Sequence, residues 1–214
     1  LQILSNIPYK IISSGSKGNA ILYHNSILVD CGVPFALLKP YLKDIKLVLL
    51  THIHGDHFNY ATIKKLAFER PSLRFGCGIH LRDSLPPHIN VDIYEPGRTY
   101  VYNYGAIIPV ALTHDVPNFG YKIHVNNTKL FHATDTANLE DIEAKNYDLY
   151  AIEHNYNEDT VFEEIKESDI TFQYNHQSRS IFSHLSEQQA RKWLYENKGE
   201  NSFVLRLHET KSSL

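Results

Sequence analysis

The chain has 214 residues, 43% hydrophobic and 21% charged, enough for one well-filled core and short for two. A formal net charge of −3 excludes a broad basic surface for nonspecific hold on nucleic acid, although bound metal ions can supply positive charge that no residue count records. Two cysteines, Cys31 and Cys77, are too few for a disulfide framework, and no signal peptide or apolar run of membrane-spanning length stands out. The expectation is a single domain over residues 1–214 in a reducing, cytoplasmic setting, away from membranes. The sequence has no methionine, which points to a native start upstream.

Short β-rich runs come first: "YKIIS", "AILYH" and "SILVDCG", separated by turn residues as in a meander. "PFALLKPYL" has helical spacing interrupted by Pro40. "IKLVLL" is a continuous apolar run of strand length, the kind buried on both faces. "YATIKKLAFER" predicts an amphipathic helix that stops before Pro71. Short strands and turns follow, with "IHLRDSL" readable as helix and "VDIYEPG" as strand. "AIIPVAL" then runs into His114, and "GYKIHVNN" with "TKLFHAT" predicts a hairpin around Asn126 and Asn127. "YDLYAIE" reads as a buried strand and "SFVLRL" as the last one. Between them lies "LSEQQARKWLYENKG", with Ser186 as cap, Gln189 closing the capping box, Leu185 stapled to Ala190, and Gly199 at the end. Strands followed by helices in both halves suggest two sheets packed face to face with helices outside.

One turn is chemically unusual. "THIHGDHF" places His52, His54, Asp56 and His57 within six positions, behind the apolar run "IKLVLL". In extended backbone alternate side chains point the same way, so His52 and His54 can reach one ion together. Gly55 would let the chain bend, and Asp56 and His57 would then project from the start of the next helix towards a second ion. Imidazole and carboxylate suit zinc, manganese or iron, and the lack of thiolate argues against a closed structural zinc cage. One turn cannot enclose two ions. Distant strand ends must finish the site, and His114, Asp135 and His184 are the candidates, Asp135 as a carboxylate able to bridge two cations.

"THIHGDH" resembles the metal-binding motif of the metallo-β-lactamase superfamily, whose fold is a four-layer α/β sandwich of αββα type. "SSGSKGNA", "LVDCG", "THDVPNFGY", "ATDT", "IEHN" and "SHLS" extend the likeness over nearly the whole chain and are similar to a bacterial nuclease-like branch, the YycJ or WalJ group. The resemblance implies that His52, His54 and His114 hold one ion, that Asp56, His57 and His184 hold the other, and that Asp135 bridges them. The chain departs from the branch at Ser183, where glycine is common, at Glu187, where asparagine is common, and at Tyr156, where a histidine is usual.

Around this set, Asp30 resembles a family aspartate and could accept an imidazole N–H, and Thr51 could share that orienting work. The "SSGSKGN" run could offer backbone N–H groups and Lys17 to a phosphate, but it lacks phosphate-loop spacing and a plain hairpin turn is the simpler reading. His24, His80, His88, His124, His132 and His208 read as surface or core histidines. His154, His176 and Arg179 lie nearer the motif stations.

The chemistry expected of two divalent ions, zinc or manganese with iron as a further option, is hydrolysis. The ions make a bridging water acidic enough to supply hydroxide near neutral pH and stabilise charge as the bond breaks. Asp56, Asp135 and His184 would carry that catalysis. The branch resemblance implies a phosphodiester substrate, nucleic acid first, with a cyclic nucleotide or short oligonucleotide as competitor and a thioester or lactone as a further option. A non-catalytic metal-stabilised module is the remaining alternative, and an intact set of seven ligands speaks against it.

Overall fold

A computed structural model of the protein describes residues 7–159 and 183–208; His176 and Arg179 lie outside them. The first sheet has six strands in sequential order: β1 (Tyr9–Ser13), β2 (Ala20–Tyr23), β3 (Ile27–Val29), β4 (Leu47–Leu49), β5 (Arg74–Gly78) and β6 (Asn90–Tyr94). Its first two pairings are antiparallel and its last three parallel. The second sheet runs β12 (Phe203–Leu207), β11 (Leu149–Glu153), β10 (Thr128–Ala133), β9 (Asn118–Val125), β8 (Gly105–Leu112), β7 (Tyr100–Tyr102). There β10, β11 and β12 are mutually parallel and the rest antiparallel.

Three apolar layers hold the sheets and helices together. Between the sheets, Tyr23, Leu47 and Leu49 meet Tyr121, Leu130 and Leu149. Outside the first sheet, Val48, Leu50 and Phe75 pack with Ile63 and Leu66 of helix α2 (Tyr60–Glu69) and Leu38 of the short α1 (Phe35–Leu38). Outside the second, Phe131, Tyr150 and Ile152 pack with Ala190, Trp193 and Leu194 of α3 (Glu187–Asn197). This is the αββα order of layers. The run "IKLVLL" explains itself here: every residue of β4 is fully buried, alternate side chains serving two different cores.

Local chemistry sets the boundaries. Ser186 and Gln189 form the reciprocal capping box on α3, and Leu185 lies in the same cluster as Ala190. α3 stops at Asn197 because Lys198 turns extended (φ −73°, ψ 132°), so the glycine expected to end it stands one residue beyond that turn. Pro40 limits α1 to one turn and puts a 3-10 turn after it, and "IHLRDS" is likewise 3-10. Asn126 and Asn127 take left-handed φ of 49° and 59° in the predicted hairpin. The helix after the histidine motif begins only at Tyr60, capped by Asn59. Asp56 and His57 therefore project from the turn before it and not from its first residues.

Because β3, β4, β10, β11 and β12 run with parallel neighbours, and β8 runs the same way as β10 through β9, their carboxyl ends meet at one rim. Cross-sheet bonds close that rim: the Phe119 N–H donates to Thr51 O at 3.2 Å and the Tyr121 hydroxyl to Leu50 O. Among the described residues, no helix is long and apolar enough to cross a membrane.

The turn carrying Asp56 and His57 is pressed against Gly32, where an added Cβ would stand 1.8 Å from Asp56 O and 2.6 Å from His57 N. Gly55, by contrast, has open space on its Cβ side and no left-handed φ. Gly32→Ala should cost about 1–3 kcal/mol, seen as a lowered melting temperature, and should reduce bound metal. Gly55→Ala should stay within about 0.5 kcal/mol of wild type in the same melt; the opposite ranking would mean that backbone freedom at Gly55, not clearance at Gly32, shapes the motif.

Candidate metal centre

Six site residues sit at or just past a strand's carboxyl end: Asp30 after β3, His52 after β4, His114 after β8, Asp135 after β10, Glu153 at the end of β11 and His208 after β12; His54, Asp56 and His57 lie on the turn that follows His52, and His184 lies just before α3. Asp30, Asp135 and His208 hold φ of 60°, 54° and 54°, a left-handed conformation uncommon for residues with a Cβ. The backbone there turns off the sheet, and the side chain is delivered to the rim.

Hydrogen bonds decide which nitrogen of each imidazole is free. The Thr51 hydroxyl donates to the Asp30 carboxylate at 2.9 Å, so towards His52 it acts as acceptor, at 3.0 Å from Nδ1. That puts the proton of His52 on Nδ1 and leaves Nε2 as a lone pair. His57 Nδ1 donates to Asp30 Oδ2 at 2.7 Å and His114 Nδ1 to the Ser183 carbonyl at 3.0 Å. That frees His114 Nε2 in the same way and turns His57 Nε2 towards Asp135 Oδ2 and the Asn19 amide, 2.6 and 2.8 Å away. This is the outer partnering that fixes the tautomer of ligating histidines.

The freed nitrogens converge. His52 Nε2 is 3.2 Å from His54 Nδ1, which is 3.4 Å from His114 Nε2, and the three residues form one potential ligand group. His52 is buried and pushed down to about 2 by that burial and by charge on His57, with His114 lowered by burial too. The lone pairs of His52 and His114 thus converge on the one ring nitrogen of His54, which has at most one proton for the two of them. A cation satisfies them.

Asp135 stands between this group and the next. Its Oδ2 is 3.4 Å from His52 Nε2 and 2.6 Å from His57 Nε2, and Asp56 Oδ2 is 3.7 Å from that same His57 nitrogen. Burial opposes charge on His57, yet the Asp30 and Asp135 carboxylates raise it to about 10. Asp135, despite its own burial, is held well below the carboxylate range by His184 and His57. Asp135 Oδ1 is buried without a hydrogen bond, although His208 Nδ1 lies 3.1 Å away and His184 Nδ1 3.4 Å. Such an orphaned anionic oxygen, in a rim of imidazoles and carboxylates, fits divalent metal.

The structure brings together all seven residues singled out from sequence: His52, His54, Asp56, His57, His114, Asp135 and His184. It adds two. Glu153 is fully buried and accepts from His184 Nδ1 at 2.6 Å, and His184 is raised to about 10, against its burial, by Asp135 and Glu153. His208 groups with Asp56 and His57 as well as with Asp135, Glu153 and His184. Its Nε2 donates to Asn19 Oδ1 at 2.9 Å, which leaves Nδ1 as the lone-pair nitrogen facing Asp135. Among the described residues, His184 shares no ligand group with Asp56 or His57; His208 does. The signal for His208 was present, since "SFVLRLH" is an apolar strand running into a histidine just as "IKLVLLTH" is. His132 is buried, with Nδ1 2.9 Å from the Tyr23 hydroxyl.

Fold and rim together define a metallo-β-lactamase-like α/β sandwich. The beta-lactamase superfamily domain matches residues 25–199, and the chain belongs to that family. It is similar to the metallo-beta-lactamase fold protein YhfI of Bacillus subtilis, with a TM-score of 0.73 and 18% identity over 96% of this chain and 87% of that one. It is also similar to the short form of human tRNase Z, with a TM-score of 0.69 and 13% identity over 95% and 93% of the two chains. Identities this low speak for the fold alone. In sequence, a 68-residue stretch is 42% identical to the anti-Pycsar protein Apyc1 of a Paenibacillus strain, covering 29% of this chain and 26% of that protein.

Asp30 is the residue on which ligand orientation turns. Asp30→Ala should weaken metal binding by about 10–100-fold, measured by competition with a chromogenic chelator. An unchanged affinity would mean that the ligand imidazoles hold their tautomers without it.

Proposed function

We propose that the chain is a binuclear metal-dependent hydrolase that cleaves a phosphodiester in nucleic acid or a nucleotide. The observation that carries this reading is the position of Asp135 Oδ2, within 3.4 Å of an imidazole from each ligand group. His52, His54 and His114 would hold one ion; Asp56, His57 and His208 the other; Asp135 would serve both. Bound there, the ions would supply an acidic water and positive charge for the non-bridging phosphate oxygens. Zinc and manganese both suit this donor set. Similarity to tRNase Z in fold, and to the nuclease-like branch in motifs, supports a phosphodiester over a lactam, thioester or lactone.

His184 takes a different part from the one its motif suggested. Its Nδ1 is committed to Glu153 at 2.6 Å, so Nε2 is the nitrogen left for substrate. His184 also lines the open cleft over the ligands, about 590 Å³ in volume. A leaving alkoxide needs a proton, and an imidazolium oriented by a buried carboxylate is suited to give one. We therefore assign His184 to the leaving oxygen and His208 to the second ion.

Bis(p-nitrophenyl) phosphate should be hydrolysed with manganese or zinc and not after chelation, while nitrocefin and S-lactoylglutathione should be poor substrates. Turnover of a thioester or lactone, with no diester cleaved, would overturn the assignment. The two histidines separate in a second experiment. His184→Ala should keep its metal and lose about 10²–10⁴-fold in kcat, whereas His208→Ala and Asp135→Ala should lose metal by elemental analysis. Metal loss in His184→Ala with full occupancy in His208→Ala would exchange the two roles.

A further inference from the structure

The cleft over the ligand set carries acid on several sides. Asp56, Asp115 and Asp135 all line it, and Asp115 is 61% exposed with Oδ1 only 3.1 Å from His114 Nε2. Among the described lining residues one lysine or arginine faces them, Lys17. Lys17 is exposed, and no described carboxylate pairs with it. An ammonium with no described carboxylate partner, in the wall of such a cleft, is where a phosphate oxygen would gain most from a point charge.

The loop that carries Lys17 is not a free hairpin turn. Asn19 is 4% exposed and binds it from below: Gly15 N–H donates to Asn19 Oδ1 at 2.8 Å, and Asn19 Nδ2 donates to Gly15 O at 3.2 Å. The same Asn19 side chain donates to Asp56 O at 3.2 Å and accepts from His208 Nε2 at 2.9 Å. The His208 N–H reaches Ser14 Oγ at 3.2 Å. Gly18, at φ 130°, passes so close to Gly32 that a Cβ would stand 2.5 Å from Gly32 O. The loop is therefore keyed to the residues assigned to the second ion, and its position is set by theirs.

We infer that Lys17 is the substrate-anchoring cation of this cleft, taking a non-bridging oxygen of a substrate phosphate on the side of Asp56 and His208. The inference rests on the phosphodiesterase reading. Two sources share that chemistry, the scissile phosphate and a phosphate next to it, and a pair of chromogenic substrates distinguishes them: thymidine 5′-(p-nitrophenyl phosphate) and its 3′-phosphorylated form.

In metal-loaded protein, Lys17→Ala should raise KM about tenfold with kcat nearly unchanged, and Lys17→Arg should restore most of the loss. A rise for both substrates places the ammonium on the scissile phosphate; a rise for the 3′-phosphorylated one alone places it on the neighbour. The slope of log(kcat/KM) against log salt should become shallower in Lys17→Ala, because one screened charge pair is lost. Unchanged KM and slope for both substrates, in a variant that melts like wild type, would overturn the inference. If wild-type protein cleaves neither substrate, the phosphodiesterase reading fails by itself. Binding of thymidine 3′,5′-bisphosphate then judges Lys17: weaker binding by Lys17→Ala upholds the anchor, and equal binding removes it.

Discussion

The site depends on one buried carboxylate. Asp30 is 1% exposed, and its two oxygens accept from the Thr51 N–H, the Thr51 hydroxyl and His57 Nδ1 at 2.7–3.0 Å. A carboxylate taken out of water is strongly disfavoured unless its lone pairs are filled, and here they are filled by the turn that carries the metal motif. The same bonds tie the end of β3 to the end of β4 and fix two imidazole tautomers, His57 directly and His52 through the Thr51 hydroxyl. A fold constraint and a chemical one are met by a single group.

Geometry alone does not make a rim of histidines a metal site, since buried neutral imidazoles occur in cores. The distinction lies in where the protons are. His52, His57 and His114 each give Nδ1–H to an acceptor behind them, so the lone pairs in front face one another and the Asp135 carboxylate. The lone pairs of His52 and His114 gain nothing from one another, and the 2.6 Å approach of His57 Nε2 to Asp135 Oδ2 is favourable only with a proton or another cation in place. With divalent cations between them, every contact becomes favourable, and the raised affinity of His57 for a proton is the same attraction answered by the smallest available cation.

Much of this was legible from the chain. The motif from His52 to His57 is local, and alternation in extended backbone is enough to see its purpose. His114 and Asp135 follow apolar strands and could be proposed from strand ends. Asp30 was also visible as a strand-end aspartate. What could not be assigned was the division of labour among His184, His208 and Glu153. Those residues meet only because β11 and β12 are parallel and in register, Glu153 opposite Leu207, which places His208 one step past the carboxylate that holds His184. Parallel pairing across the 49 residues between β11 and β12 is a tertiary fact, and local likeness alone cannot rank His184 against His208 for a ligand role. The helix starts at Tyr60, where its sequence predicted it, but Asp56 and His57 lie on the turn ahead of it, closed by the Phe58 N–H on His54 O and pressed against Gly32 of a distant strand end.

The distribution of charge follows from the same rim. Asp56 and Asp135 bring carboxylates into the ligand set, and Asp115 adds another at the wall of the cleft. Cations held among them would act only close to themselves, because the field of an ion and its carboxylates falls off quickly in an open cleft. On the phosphodiesterase reading proposed above, a phosphate at the centre would be attracted, while phosphates further out would meet whatever the protein itself presents: Asp115 at one wall, and the ammonium of Lys17 at another. The centre alone supplies reactivity without direction. Direction comes from this asymmetry of the outer wall, which favours an anionic substrate lying towards the Ser14–Lys17 loop and away from Asp115.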